Sequence, residues 1–192
     1  MFTEQDTWTG GSIELLVSLG PPSAERRFGA SRAVWQWSAL QGPYAHRDVE
    51  PTDQSVVNVT AAGHYYGVAT LPNDAGHVAF ATCFVEDDDG LWLYAGSPLG
   101  SLGTVLPVGA FPFGEPSTAQ WEQMVYEWLF GLAQHLFVDI PFERAVVGWL
   151  TTMEVDELAR AVVPEQRGHG YIVARNGRLE YHAPNLKGAL LT

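Results

Sequence analysis

Residues 77–95 read His-Val-Ala-Phe-Ala-Thr-Cys-Phe-Val-Glu-Asp-Asp-Asp-Gly-Leu-Trp-Leu-Tyr-Ala. Val78, Phe80, Thr82 and Phe84 fall in one alternating register, and Ala79, Ala81, Cys83 and Val85 in the other. A period of two with apolar residues in both registers predicts a strand over His77 to Val85 covered on both faces. Glu86 to Gly90 turns the chain, and Leu91 to Ala95 returns as the antiparallel partner.

Working outward, Pro72-Asn73-Asp74-Ala75-Gly76 is turn chemistry, which makes Tyr65 to Leu71 the preceding strand. Val56 to Thr60 is a further expected strand. Upstream, Ile13, Leu15, Val17 and Leu19 alternate with Ser12, Glu14 and Ser18, so Ser12 to Leu19 reads as a strand with one face buried. Ser23 is placed to cap a helix, with Ala24, Phe28, Ser31 and Trp35 on one side of it. Gln41 to Gln54 reads as loop.

Downstream, Gly96 to Gly114 is rich in Gly and Pro and reads as irregular, with an extended piece at Val105 to Val108. Ser117 and Gln120 form a capping box. Behind it Trp121, Met124, Val125, Trp128, Leu129, Leu132, Leu136 and Phe137 follow i, i+3, i+4, i+7 spacing up to Pro141. That pattern predicts a long amphipathic helix. Ala145 to Leu150 is an expected strand, and Thr151 with Glu154 opens a short helix stopped by Pro164. Tyr171 to Ala174 and Leu179 to Tyr181 flank Asn176-Gly177, the strongest short hairpin signal. Strands and helices do not alternate strictly, so the expected architecture is α+β. One long amphipathic helix and two shorter ones cover a mostly antiparallel sheet in a single domain over residues 1–192.

Composition bounds the function. Ten Lys and Arg against 22 Asp and Glu give a formal charge of −12. Such a surface repels nucleic-acid phosphates and anionic membranes, and it suits a basic protein partner. A lone cysteine, Cys83, excludes an intramolecular disulfide and a zinc ribbon. The first eleven residues lack the basic and apolar regions of a secretory signal, and no apolar run reaches the ~18 residues of a membrane span. A cytoplasmic protein is expected.

No local pattern carries catalysis. The run Gly96-Ser97-Pro98-Leu99-Gly100-Ser101-Leu102-Gly103 lacks glycines two before and two after either serine, so it is no nucleophile elbow. His46, His64, His77, His135, His169 and His182 form no His-x-His or His-x-x-x-His pair, so no metal and no cofactor is expected. Cys83 sits in mid-strand and reads as an inert thiol. His46-Arg47-Asp48 matches the catalytic triplet of protein kinases, but every other kinase motif is missing.

Two segments remain as candidate binding residues. Tyr44, His46, Arg47, Asp48 and Glu50 combine an aromatic, a titratable ring and three charges in a loop, where binding residues concentrate. A salt-bridged knot that orders the loop is the structural alternative. Glu86, Asp87, Asp88 and Asp89 form the densest anionic run. It lacks calcium-loop spacing, and reads either as a solvated hairpin tip or as a negative knob for a basic partner. Trp8 and Trp37 are expected at the surface, as interface anchors.

The expectation is a non-catalytic acidic interaction protein. By analogy of composition alone it is similar to bacterial immunity proteins, which dock basic toxins. A small-molecule hydrolase or ligand-binding protein, with a cleft lined by aromatics and one or two of His46, Asp48 and His64, is the alternative. A homodimer is a third possibility.

Overall fold

A computed structural model describes residues 1–61, 63–88, 90–109, 119–149 and 162–186. The chain is an α+β fold built on one antiparallel sheet of eight strands in the order β2-β3-β4-β5-β1-β6-β7-β8. The strands are β1 (Ser12–Gly20), β2 (Leu40–Tyr44), β3 (Tyr65–Leu71), β4 (Gly76–Asp87), β5 (Gly90–Pro98), β6 (Arg144–Trp149), β7 (Gly170–Arg175) and β8 (Arg178–His182). Three α-helices are described: α1 (Ala24–Trp35), the four-residue α2 (Leu99–Leu102) and α3 (Ala119–Asp139). The short helix expected from Thr151 lies outside the described residues, as does Ser117.

The β4–β5 hairpin forms in the expected register, with Thr82 opposite Ala95 and Phe84 opposite Leu93. Its neighbour β3 closes through Asn73 and Asp74, both at positive φ, the backbone that a tight hairpin turn requires. Asn176 and Gly177 do the same between β7 and β8.

β1 sits in the middle, between β5 and β6. Ile13, Leu15, Val17 and Leu19 face α1 and α3 in the main core. The expectation that only this side of β1 is buried is corrected: Leu16 is fully buried and Glu14 is 2% exposed on the opposite face. There Leu16 packs with Trp92, Val146 and Tyr171. Both faces of the central strands are therefore covered, as the double apolar register of β4 requires.

α3 turns Trp121, Val125, Trp128, Leu129, Leu132 and Leu136 into the core and leaves Gln123, Glu127 and Gln134 exposed. Each large apolar side chain so buried stabilises the fold by about 1.5–3 kcal/mol. Aromatic edges join the layers: Trp35 meets Phe80 at 6.2 Å, and Phe80 meets Trp128 at 5.9 Å, both T-shaped.

α1 starts where Ser23 accepts the Arg26 N–H at 3.3 Å. Its buried side is Ala30, Ser31, Ala33, Val34 and Trp35. Ala24 and Phe28 are exposed, Phe28 by 43%, which corrects their expected place on the packed side. Gly29 explains the rotation: a Cβ there would come within 2.8 Å of Ile140, so α1 approaches the end of α3 through its glycine.

Two loop expectations also change. Leu40 to Tyr44 is a strand, interrupted between Gln41 and Tyr44, while Val56 to Thr60 is no strand and meets β2 only where the Val57 N–H donates to the Pro43 carbonyl at 2.9 Å among the described residues. In Gly96 to Gly114, β5 continues to Pro98 and α2 follows at once, and Val105 to Val108 is turn and coil.

Candidate functional site

The first candidate segment leaves the end of β2. Tyr44 is buried beneath Phe2, with ring centroids 6.1 Å apart and planes at 81°. Val68, Ala79, Trp8 and Tyr66 complete that cluster on the sheet face away from the helices. His46 points to solvent, and its backbone is held by one side chain. Its N–H donates to Gln54 Oε1 at 3.2 Å, and its carbonyl accepts from Gln54 Nε2 at 2.7 Å. Arg47 and Asp48 are exposed. The His64 ring lies 4.9 Å from the Tyr66 ring, tilted 31° to it. Desolvation of its ring, and secondly the charge of Arg47, hold its pKa below the ordinary value.

Glu50 has a different environment. Its side chain is 25% exposed, and its carboxylate takes four donors from the N-terminal segment. These are the Met1 ammonium at 2.9 Å, the Phe2 N–H at 3.1 Å, the Thr3 N–H at 2.8 Å and the Thr3 hydroxyl at 2.6 Å. The Thr3 hydroxyl is the main reason that its pKa falls to about 2. Tyr44 and Glu50 thus fasten residues 1–8 across the sheet, while His46, Arg47 and Asp48 stand outward from that clasp.

The second candidate segment is the β4–β5 tip. Glu86 pairs with Arg27 of α1, whose guanidinium lies 5.6 Å over the Phe84 ring. Asp87 Oδ1 accepts the Gly90 N–H at 3.0 Å and the Trp92 indole N–H at 3.1 Å. Asp88 is exposed, and Asp89 lies outside the described residues. The two segments do not meet. Tyr44 shares a cross-strand row with Tyr66 and Ala81, five residues before Glu86 along β4. At strand spacing that is roughly 17 Å.

The same row continues to a group that sequence reading missed. Ala81 pairs with Gly96, Gly96 with Glu14, and Glu14 with Gly148. Directly opposed residues share a face, so Glu14 projects away from the helices with a glycine on either side. A Cβ on Gly148 would collide with the His169 ring, which therefore lies over that strand position beside Glu14. The ring nitrogen Nε2 of His169 is 2.9 Å from the Trp149 carbonyl. Cys83 and Tyr94 lie close by. Burial, and then the Glu14 charge, push the Cys83 thiol up to about 11 and the Tyr94 phenol above its ordinary value. The signal was Leu16, which shares its register with Glu14: an apolar residue on the supposedly wet side of β1 marks that side as covered.

Among the described residues no group of three His, Cys, Asp or Glu side chains is arranged to hold a metal, and no helix is long and apolar enough to cross a membrane. Trp8 and Trp37 are both half-buried, contrary to their expected exposure. Trp8 donates to the Phe2 carbonyl at 3.0 Å, and Trp37 packs 5.0 Å from Trp128.

A groove of about 570 Å³ opens where the N-terminal segment passes α2. Glu4, Gln5, Asp6 and Thr7 form one wall, and Leu99, Gly100, Gly103 and Thr104 the other. α2 is drawn against this segment by Gly100, whose N–H donates to the Thr9 carbonyl at 3.0 Å. Among the described residues no Lys or Arg lines the groove; the carboxylates of Glu4 and Asp6 are exposed at its rim, and Glu4 lies 3.2 Å from the Met1 ammonium. No protein-family model, no curated protein and no solved structure matches this chain.

Proposed function

We propose that this chain is a non-catalytic acidic interaction protein that docks a basic partner, in the manner of bacterial immunity proteins. The observation that carries the reading is the groove beside α2, a recess edged by Asp6, in no ion pair among the described residues, and by Glu4, which shares its charge with the Met1 ammonium, with no Lys or Arg among the described lining residues. It suits an Arg or Lys side chain of the partner. Charges elsewhere on the described surface accord with it. Arg27 is paired with Glu86, Arg175 lies 3.6 Å from Glu180, and Arg26 and Arg167 donate to backbone carbonyls. Asp6, Asp48, Asp74 and Asp88 are exposed and in no ion pair among the described residues. The outward field is anionic, which steers a cationic partner at low salt. Asp48 and Asp88 belong to this surface, whereas Tyr44 and Glu50 shape the segment that bounds the groove.

The test is titration of a labelled arginine-rich peptide by fluorescence anisotropy at about 20 mM and about 300 mM salt, conditions that differ severalfold in screening length. Saturable binding that weakens at least about tenfold with salt, and again in E4Q/D6N, supports the reading. No saturable binding, or binding indifferent to E4Q/D6N, overturns it.

A second reading, a ligand-binding or hydrolytic protein, draws support from Glu14 rather than from His46, Asp48 and His64. A carboxylate 2% exposed, next to His169 and Tyr94, is the kind of titratable group that active sites bury. Hydrolysis of a panel of chromogenic esters by the wild type and not by E14Q would favour it.

A further inference from the structure

An open sheet has two edges, and among the described residues this one closes only one of them. At the β2 edge Pro43 has no N–H to offer, and its carbonyl accepts the Val57 N–H at 2.9 Å. At the other edge β8 pairs with β7 alone. The two-residue turn makes Arg175 and Arg178 the closing hydrogen-bonded pair, and Val173 with Glu180 the next. The alternation leaves the backbone N–H and C=O of Leu179 and Tyr181 pointing away from β7. The described chain after β8, as far as Leu186, does not fold back over them, because Asn185 and Leu186 donate to the Arg167 carbonyl at 3.0 and 3.1 Å.

We propose that this edge is a self-association surface: two copies of the chain pair antiparallel through β8, centred on Leu179, and extend the sheet across a two-fold axis. The charge pattern selects both the occupant and the register. Centring on Leu179 places Arg178 opposite Glu180 of the partner subunit, twice by symmetry. These positions form a non-hydrogen-bonded pair, where side chains approach closest. Leu179 exchanges both backbone hydrogen bonds with Leu179 of the partner subunit. Centring on Glu180 instead would set two carboxylates against each other at the same close spacing, which is destabilising. β8 is thus complementary to itself with Leu179 at the centre. On the helix side Tyr181 stacks on Phe130 of α3 at 5.1 Å, which fixes the aromatic edge of the strand beneath the helix. So short an interface belongs to the weak class, and association is expected to be weak and concentration-dependent.

Sedimentation equilibrium of the full chain from about 1 to about 300 μM reads the outcome over that range. The wild type is expected to dimerise. R178E is the decisive variant. Arg175 lies directly across the hairpin from Arg178, so the substitution relieves a like-charge pair within one copy while creating repulsion between copies. It is expected to keep its circular dichroism spectrum and melting temperature and to weaken the dimer at least about tenfold. The double variant R178E/E180R swaps the charges and is expected to restore association. L179P, which removes an outward N–H, is expected to abolish it. A wild type that stays monomeric throughout overturns the proposal. So does a dimer whose constant is unchanged in R178E and L179P, because it then forms through another surface.

Discussion

Thr3 donates its hydroxyl to Glu50 at 2.6 Å, the shortest of four bonds that gather the N-terminal segment onto one carboxylate. That segment carries Phe2 into the cluster with Tyr44 and Val68, and it forms one wall of the acidic groove. Glu50 therefore links the aromatic cluster to the proposed docking surface.

Replacing Glu50 by Gln leaves donors facing an amide that cannot accept them all. Loss of a charge-assisted, half-buried bond costs about 1.5–3 kcal/mol. Urea denaturation of E50Q is expected to show that loss. Hydrogen exchange is expected to quicken at Phe2 and Thr3 and to stay unchanged in β4 and β5.

The same carboxylate sets an acid limb. Its folded pKa of about 2 lies below the ordinary 4.5, so the deprotonated form favours the native state. The contribution is complete above pH 4.5 and is lost as pH falls toward about 2. Wild type should therefore lose stability through that window more steeply than E50Q. Parallel curves for the two proteins would refute the assignment.

Cys83 provides the opposite limb. Burial raises its thiol to about 11 from an ordinary value of 9, so the native state favours the protonated form. Its stabilising contribution is present below pH 9 and declines as pH rises from there to about 11. At neutral pH the thiol is expected to resist a thiol-specific reagent such as Ellman's until urea unfolds the chain. Rapid labelling of the folded protein would contradict this.

Asp87 holds the β4–β5 turn by two hydrogen bonds from one oxygen. D87A leaves the buried indole N–H of Trp92 without its acceptor, at a cost of about 1–3 kcal/mol. A lower urea midpoint and shifted tryptophan fluorescence are the expected readouts. D87N keeps the accepting oxygen and should retain most of the stability.

Gly148 marks the closest approach on the far face. G148A drives a methyl group into the His169 ring, and overpacking of this kind costs about 1–3 kcal/mol. A melting temperature equal to wild type would show that the ring moves aside freely.

The elements legible in the sequence were those with strong local rules. Two-residue turns at Asn73-Asp74 and Asn176-Gly177 require positive φ, and alternation along His77 to Val85 determines both faces of β4. What escaped depends on partners distant in the chain. β2 becomes a strand because β3 supplies its ladder across a proline-containing stretch, and α1 rotates because Ile140 meets Gly29. The site was less legible than the fold. Residue type alone does not distinguish Glu50, turned toward the N-terminal segment, from Asp48, turned toward solvent. Glu14 escaped because a polar residue in an alternating strand ordinarily faces water.

The position of β1 has a consequence for how the molecule comes into being. Strand β1 is flanked by β5 and β6, whose pairing residues lie about 80 and 130 positions further along. Such sequence-distant pairing predicts slow folding. During synthesis β1 waits with both edges bare, and the sheet is continuous only after β6 has emerged. Until then the nascent chain offers apolar strand edges to its neighbours, so aggregation during production should depend on how quickly the last third arrives.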